Sequence, residues 1–171
     1  MSPTTPPADS RTAVYTGSMD PVTLGHLNVI QRSSHLVDRL IVGVGVNIDK
    51  QALFTPEERV KLLREVTGDL DNVEVRQFTG LAVNFVRQCG AHVIIRGVRS
   101  LTDIEAEFTM TLANRKLDPG IETVFLMADE EYSHVSSSLI KQITPLAGDT
   151  ELARFVPTAV IPELRRKLAL E

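Results

Sequence analysis

The segment Thr16-Gly17-Ser18-Met19-Asp20-Pro21-Val22-Thr23-Leu24-Gly25-His26 follows a short apolar run and leads into a stretch of helical period. Its residue types suit an anion site. Gly17, directly after a strand, permits a turn that a side chain would block. Gly25 lies at the mouth of the next helix, where a missing side chain leaves backbone N–H groups open to a ligand. Those donors and the helix dipole favour a phosphate. Ser18 adds a hydroxyl, and His26 projects from the first helical turn toward the same space. A lone Gly-His is most simply a turn with a solvent-facing ring. Two glycines, a hydroxyl and a His converging on one strand end are more specific.

Three further polar blocks carry the same signature. Lys50 closes the loop Asn47-Ile48-Asp49-Lys50 after the second strand, where its ammonium could reach phosphate as a mobile point charge. Arg96 and Arg99 flank Gly97-Val98 after the fourth strand. They are expected to be unpaired cations beside a cleft unless anions arrive, and guanidinium forks suit phosphate oxygens. Ser136-Ser137-Ser138 precedes the apolar pair Leu139-Ile140 and so sits at a helix N-terminus. Ordinary N-capping is the simpler reading, yet three hydroxyls with free N–H groups also make a second anion site facing the first. Glu107 by itself reads as part of a solvated helix face, and Arg165-Arg166-Lys167 as a solvated face of the last helix. His35, His92 and His134 lack metal-ligand spacing, so no structural metal is expected. Cys89, in Arg87-Gln88-Cys89-Gly90 at a helix end, reads as a buried or half-buried spectator.

These groups need a frame that brings strand ends together. From Thr12 onward, β-branched runs alternate with segments of helical period. Strands are expected at Ala13–Tyr15, Leu40–Val46, Val73–Gln77, Val93–Ile95 and Thr123–Met127. The second is apolar throughout, as a strand covered on both faces must be. Helices are expected through Leu27–Arg32, from Thr55-Pro56-Glu57-Glu58 (cap, first-turn proline, capping-box acid), and over Leu81–Gln88. Another covers Asp103–Leu117 behind a Thr102/Glu105 capping box. After Met127 the pattern is helical only, chiefly Ser136–Thr144 and Pro162–Ala169, with Pro145, Gly148 and Pro157 marking turns. The sum is an α/β fold, a doubly wound, mainly parallel five-stranded sheet with a helical C-terminal part. Ligands of such sheets bind at the carboxyl ends of the strands.

A chain of 171 residues is one domain's worth, and 43% hydrophobic with 23% charged residues excludes disorder and fibrous repeats. Residues 1–11, rich in proline, read as a disordered extension ahead of a single domain over 12–171. A net charge of −4 gives no sequence-wide footprint for nucleic acid, and the longest apolar stretch, Leu40 to Val46, is far too short for a membrane span. The single cysteine cannot form an internal disulfide, which fits a reducing, cytoplasmic location. No Walker A loop is present, and Gly43-Val44-Gly45 lies inside a strand with no third glycine, which removes the standard dehydrogenase reading.

Tyr15–His26, with Thr23-Leu24-Gly25-His26 as a variant of the nucleotidylyltransferase His-x-Gly-His motif, closely resembles the bacterial phosphopantetheine adenylyltransferases. Three later blocks match in order and spacing: Lys50 before Phe54-Thr55-Pro56-Glu57-Glu58-Arg59, Arg96-Gly97-Val98-Arg99, and Tyr132-Ser133-His134-Val135-Ser136-Ser137-Ser138. The likeness runs from about Thr12 to the C-terminus, and four blocks in register are a strong match where one would be weak. The resemblance implies a Rossmann-like fold and reversible transfer of an adenylyl group from ATP to 4′-phosphopantetheine. It implies substrate-bound Mg²⁺, a homohexamer and inhibition by coenzyme A. By matching position, His26 stabilises the transition state at the α-phosphate, with Lys50, Arg99 and Ser18 as its catalytic companions. Ser18, Lys50, Ala82 (through its backbone) and Arg96 align with the phosphopantetheine site. Ser18, Met19, His26, Gly97, Val98, Arg99, Glu107 and the segment Tyr132–Ser138 align with the ATP pocket. Departures from frequent family residues at Thr16, Ser18, Met19, Ala82 and Ala106 bear on the shape of the pocket more than on the reaction.

The chemistry implied agrees with the residues. The attacking phosphate is already ionised and pyrophosphate leaves readily once neutralised, so no covalent enzyme intermediate is required. What remains is to bring two polyanions into line and stabilise charge on the equatorial oxygens. Another transferase of the superfamily, acting with CTP or on nicotinamide mononucleotide, would share the Gly-His and the serine-rich helix start, but Lys50 with Arg-Gly-Val-Arg argues against it. A non-catalytic nucleotide sensor could dispense with His26 and Lys50. A class I aminoacyl-tRNA synthetase fragment would carry a lysine-bearing second signature and a basic surface that are absent here.

Overall fold

The structure, a computed structural model, describes residues 11–46 and 51–168. Residues 1–10 of the expected extension, and Lys50, lie outside the described residues. Arg11 is already tied in: its backbone N–H donates to Asp38 at 2.8 Å and its carbonyl accepts from Asp38 and Arg39.

Five strands, β1 (Thr12–Gly17), β2 (Arg39–Gly45), β3 (Val73–Phe78), β4 (Val93–Val98) and β5 (Glu122–Met127), form one parallel sheet in the order β3-β2-β1-β4-β5. The register sets Val14 beside both Ile41 and Ile94, and Tyr15 beside Val42 and Ile95. Period-two alternation then sends Val14, Ile41 and Ile94 to one core and Ala13, Tyr15, Leu40 and Val42 to the other. Helices α1 (Leu24–Ser34) and α2 (Pro56–Val66) cover the second of these faces. Helix α3 (Ala82–Gln88) covers the first through Val83, Phe85 and Val86, with α4 (Leu101–Leu117) packed against α3 and β4. The chain thus changes face as it crosses from β3 to β4, as right-handed crossovers require.

Local signals hold at most boundaries. Thr55 caps α2 with Glu58 returning to the Thr55 N–H, and Pro56 opens the helix. Helix α4 departs from expectation. It starts at Leu101 and is capped by Ser100, whose hydroxyl accepts from Asp103 N–H, instead of by the Thr102/Glu105 pair. Ser100 can cap because its backbone is extended at φ −148°, whereas Thr102 already lies inside the helix. Strand β4 runs on to Val98, so Arg96 and Gly97 belong to the strand and do not follow it.

The C-terminal part, α5 (Ser137–Ile143), α6 (Asp149–Leu152) and α7 (Val160–Lys167), packs on the α1/α2 face through Ile140, Leu152, Ile161 and Leu164. Its basic end is a solvated face only in part: Arg166 is exposed, while Arg165 and Lys167 are largely covered. Arg165 donates to the carbonyls of Thr144 and Ala147, while Arg166 and Lys167 both reach Glu58 at the start of α2, at 3.0 and 2.7 Å. Helical spacing could not show this, since the acceptors lie on other elements. Cys89 is buried at the end of α3, where burial pushes its thiol pKa up.

Gly43 marks where β2 and α3 come closest: a Cβ there would lie 2.5 Å from Phe85 Cε1 and 3.2 Å from Phe78 Cε1, two rings stacked at 4.4 Å. Gly43→Ala is expected to destabilise the fold by about 1–3 kcal/mol through overpacking, read as a lower urea midpoint with an unchanged slope.

Candidate active site

Beyond the carboxyl ends of β1 and β4 opens a cleft of about 470 Å³. It sits where the strand order reverses, the expected ligand position in a doubly wound sheet. Thr16, Gly17, Ser18 and Met19 leave β1 into it, and Arg96 and Gly97 face it from β4. Gly25 and His26 border it from α1, Asp103 and Glu107 from α4, and Ser136, Ser137 and Ser138 from the start of α5.

The turn after β1 is tight. A Cβ on Gly17 would stand 2.8 Å from Met19 Cε, and Met19 itself takes a left-handed backbone at φ 49° with its side chain buried. At Gly25, by contrast, a Cβ would meet only ordinary contacts, 3.6 Å to Thr23 Oγ1 and 3.7 Å to Tyr132 Cβ. Packing alone therefore does not demand glycine there, although Gly25 borders the cleft from the first turn of α1.

Thr23 caps α1 and fixes the histidine. The Thr23 hydroxyl accepts from His26 N–H, and the Thr23 N–H donates to His26 Nδ1 at 3.1 Å, a capping box with His in the acid's place. An acceptor Nδ1 puts the ring proton on Nε2. Burial, then the Arg99 and Arg96 charges, lower the His26 pKa to about 4. Near neutral pH the ring is therefore a neutral imidazole whose Nε2–H remains to donate, suited to hydrogen-bonding a charge-bearing oxygen.

Arg96 and Arg99 are not the unpaired cations that the sequence suggests. Arg96 forks onto Glu107 at 2.7 and 2.6 Å and donates to the Thr16 carbonyl and hydroxyl. Arg99 holds Asp103 at 3.0 Å and the Val135 carbonyl at 2.7 Å. Because α4 begins at Leu101, Asp103 and Glu107 fall four residues apart on one face of it, each opposite one arginine. Both guanidinium groups are thereby oriented at the cleft before any ligand enters.

A second set of contacts ties α5 to the β1–α1 turn. Buried Asp20 accepts from Lys141 Nζ at 2.7 Å and from the Leu53 and Phe54 N–H groups at 2.9 and 2.8 Å. Burial would raise its pKa, but the Lys141 bond and the two backbone bonds outweigh it and hold the carboxyl below its ordinary value. Ser136 caps α5, and Ser137 Oγ donates to the Pro21 carbonyl. Two of the three serine hydroxyls thus already have protein partners.

The cleft gathers Ser18, Met19, His26, Arg96, Gly97, Arg99, Glu107, Val135 and the serine triplet. Ala82, the first residue of α3, is not among its walls, nor is buried Val98. Tyr132, Ser133 and His134 also stand outside the walls: Tyr132 closes a single 3-10 turn (Glu130–Tyr132), and His134 sits edge-on to Phe155. Sequence reasoning missed Asp20, Thr23, Arg59, Asp103 and Lys141. The Thr23/His26 spacing is readable as a cap, whereas Asp20 and Lys141 are 121 positions apart with no local signal.

Residues 14–143 match the cytidylyltransferase-like family. The chain is 61% identical over 158 residues to the phosphopantetheine adenylyltransferase of Rhodopirellula baltica, covering 92% of this chain and 88% of that one. It is 47% identical over the same length to the phosphopantetheine adenylyltransferase of Clostridium botulinum, covering 92% and 95%. Among solved structures it is similar to a putative nicotinate-nucleotide adenylyltransferase of Vibrio parahaemolyticus, at a TM-score of 0.61 and 18% identity over 91% of each chain. It is also similar to the nicotinic acid mononucleotide adenylyltransferase of Plasmodium falciparum, at 0.59 and 13% identity over 94% and 96%. At those identities the structural likeness speaks to the fold alone.

The geometry of His26 makes a spectroscopic prediction. In the substrate-free protein, nitrogen-15 NMR should find His26 as the Nε2–H tautomer, titrating near pH 4 while an exposed histidine titrates near 6.5. The unfolded chain binds this proton below about pH 6.5 and the native state only near pH 4, so His26 makes stability rise with pH across that window. A His26 titration near 6.5 would remove the neutral-donor assignment.

Proposed function

The chain belongs to the cytidylyltransferase-like family and, within it, to the phosphopantetheine adenylyltransferases; from that premise we propose how its cleft works. The protein transfers the adenylyl group of ATP to 4′-phosphopantetheine, giving dephospho-coenzyme A and pyrophosphate, in the biosynthesis of coenzyme A. The observation that carries this is the 61% identity to a phosphopantetheine adenylyltransferase, which extends over 92% of this chain.

In the proposed mechanism, a phosphate oxygen of the acceptor attacks the α-phosphorus of ATP. The new P–O bond forms as the bond to the bridging oxygen breaks, and pyrophosphate leaves with that oxygen and its electrons. His26 donates its Nε2–H to a non-bridging α-phosphate oxygen as charge builds there. Arg99, with the α5 N-terminus, neutralises the departing pyrophosphate. Ser18, Lys50 and Arg96 hold the acceptor's phosphate in line, with the Ala82 backbone toward its pantetheine arm. Met19, Gly97, Val98, Glu107 and the segment Tyr132–Ser138 shape the ATP site. Orientation and fixed charge supply the acceleration, since no bond to the enzyme forms.

Mg²⁺ would assist by neutralising the triphosphate. The acids in the cleft, Asp20, Asp103 and Glu107, each hold a protein cation, and no His/Cys/Asp/Glu cluster suited to a metal occurs among the described residues. That donor set fits an ion carried in on ATP.

The proposal extends to a homohexamer, to feedback inhibition by coenzyme A, which repeats the product's pantetheine arm, and to a cytoplasmic location. Support for assembly comes from α4, which buries none of its residues and exposes Phe108, Met110 and Leu112 by more than half. Edge strand β5 also exposes Val124 and Met127. A patch of this kind marks an interface. No helix among the described residues is long and apolar enough to cross a membrane.

Pyrophosphate release should require ATP, Mg²⁺ and 4′-phosphopantetheine together, with dephospho-coenzyme A identified by mass spectrometry. Turnover with a different phosphorylated acceptor, and none with this one, would move the substrate. His26→Ala should lower kcat by about 10²–10³-fold with little change in ATP affinity. Replacing Phe108 and Leu112 by Glu should yield a lighter particle in sedimentation.

A further inference from the structure

Arg59, in the first half of α2, is only 4% exposed, yet it borders the cleft. Its Nη1 donates to the carbonyls of Ser18 at 2.8 Å and Gly45 at 3.3 Å, and its Nε reaches the Thr55 carbonyl at 3.4 Å. Among the described residues Nη2 has no acceptor, and no carboxylate pairs with the guanidinium. The nearby acids are committed elsewhere. Glu58 holds Lys167 and Arg166, and Asp20 holds Lys141. Every other arginine or lysine that borders the cleft, namely Arg96, Arg99 and Lys141, has an acid partner.

A cation kept from water without a counter-ion is costly, and carbonyl oxygens offset only part of that cost. An anion arriving in the cleft would complete it. The location says which anion. Arg59 lies between the carboxyl ends of β1 and β2, bonded to the backbone carbonyls of Ser18 and Gly45. Arg99 and the serine-rich start of α5, assigned above to the nucleotide's polyphosphate, border the cleft from β4 and the C-terminal part.

We propose that Arg59, whose charge has no acid partner and whose Nη2 no acceptor among the described residues, is a further substrate-binding residue that recognises the phosphate monoester of the acceptor at the β1–β2 end of the cleft. This deepens the adenylyl-transfer reading and rests on it. The carbonyl bonds to Ser18 and Gly45 lock the guanidinium plane, so Nη2 meets the phosphate without losing rotamer freedom on binding. They also couple it to Ser18, placing hydroxyl and guanidinium on the same phosphate.

The test is calorimetric binding, on the full chain, of 4′-phosphopantetheine, of pantetheine lacking the phosphate, and of ATP. Wild type is compared with Arg59→Met and Arg59→Lys, each checked for folding by circular dichroism. Arg59→Met should weaken 4′-phosphopantetheine at least tenfold and leave pantetheine and ATP within twofold. A folded Arg59→Met that binds 4′-phosphopantetheine within twofold of wild type overturns the assignment. So does an equal loss for pantetheine, which is what a mere strut between the loops would give. Where Arg59→Met does not fold, Arg59→Lys decides: a loss of threefold or more confined to the phosphorylated ligand supports the proposal, and no such loss overturns it. If wild type itself does not distinguish phosphorylated from unphosphorylated pantetheine, the acceptor assignment fails independently of Arg59.

Discussion

The reversal of strand order at β1 is the constraint on which the rest of the molecule depends. Helix α1 leaves β1 over one face of the sheet, while α4 leaves β4 toward the other. Neither can cover the space beyond both strand ends, so a parallel sheet in the order β3-β2-β1-β4-β5 is left with a gap there. Backbone N–H groups at the start of α1 border that gap. Once the two core faces are filled by Val14, Ile41 and Ile94 on one side and Tyr15, Leu40 and Val42 on the other, the cleft's position is settled.

The second theme is how charge is held there. A cleft for two polyanions needs cations, and cations side by side repel one another and depress the pKa of a neighbouring histidine. The fold answers by giving Arg96 and Arg99 an acid each, from successive turns of α4. Carboxylate forks orient the guanidinium groups while leaving part of each surface toward the cleft. The residual positive field, added to burial, keeps His26 neutral. A neutral imidazole locked as a donor is a better partner for an oxygen that gains charge during the reaction than a ring that changes protonation on binding.

Distant parts of the chain brace the segment on either side of Lys50. Asp20 takes the Leu53 and Phe54 N–H groups, Arg59 takes the Ser18 and Gly45 carbonyls, and Lys167 of α7 holds Glu58. Through Lys141 and Ser137, α5 is bonded to the same β1–α1 turn. The helical C-terminal part therefore does more than close a core: it fixes the serine-rich helix start against the glycine-rich turn.

Much of this was legible in the sequence, because its signals are local. Uninterrupted apolar runs define buried strands, Thr55-Pro56-Glu57-Glu58 encodes its own cap, and two glycines, a hydroxyl and a histidine at one strand end are a local pattern suited to an anion. The first strand, the second strand and the α2 start were fixed by such short-range physics, as was the placing of Ser18, His26, Arg99 and the serine triplet near strand or helix ends, whereas their meeting in one cleft needed the strand order. The sequence could not disclose partners. That Arg96 meets Glu107, that Asp20 meets Lys141, that Arg165 bonds the carbonyls of Thr144 and Ala147, and that Arg59 has no acid partner among the described residues all depend on how separate elements dock. Ion pairing is decided by distances of a few ångströms in three dimensions, and linear spacing records those only within a single helix or turn.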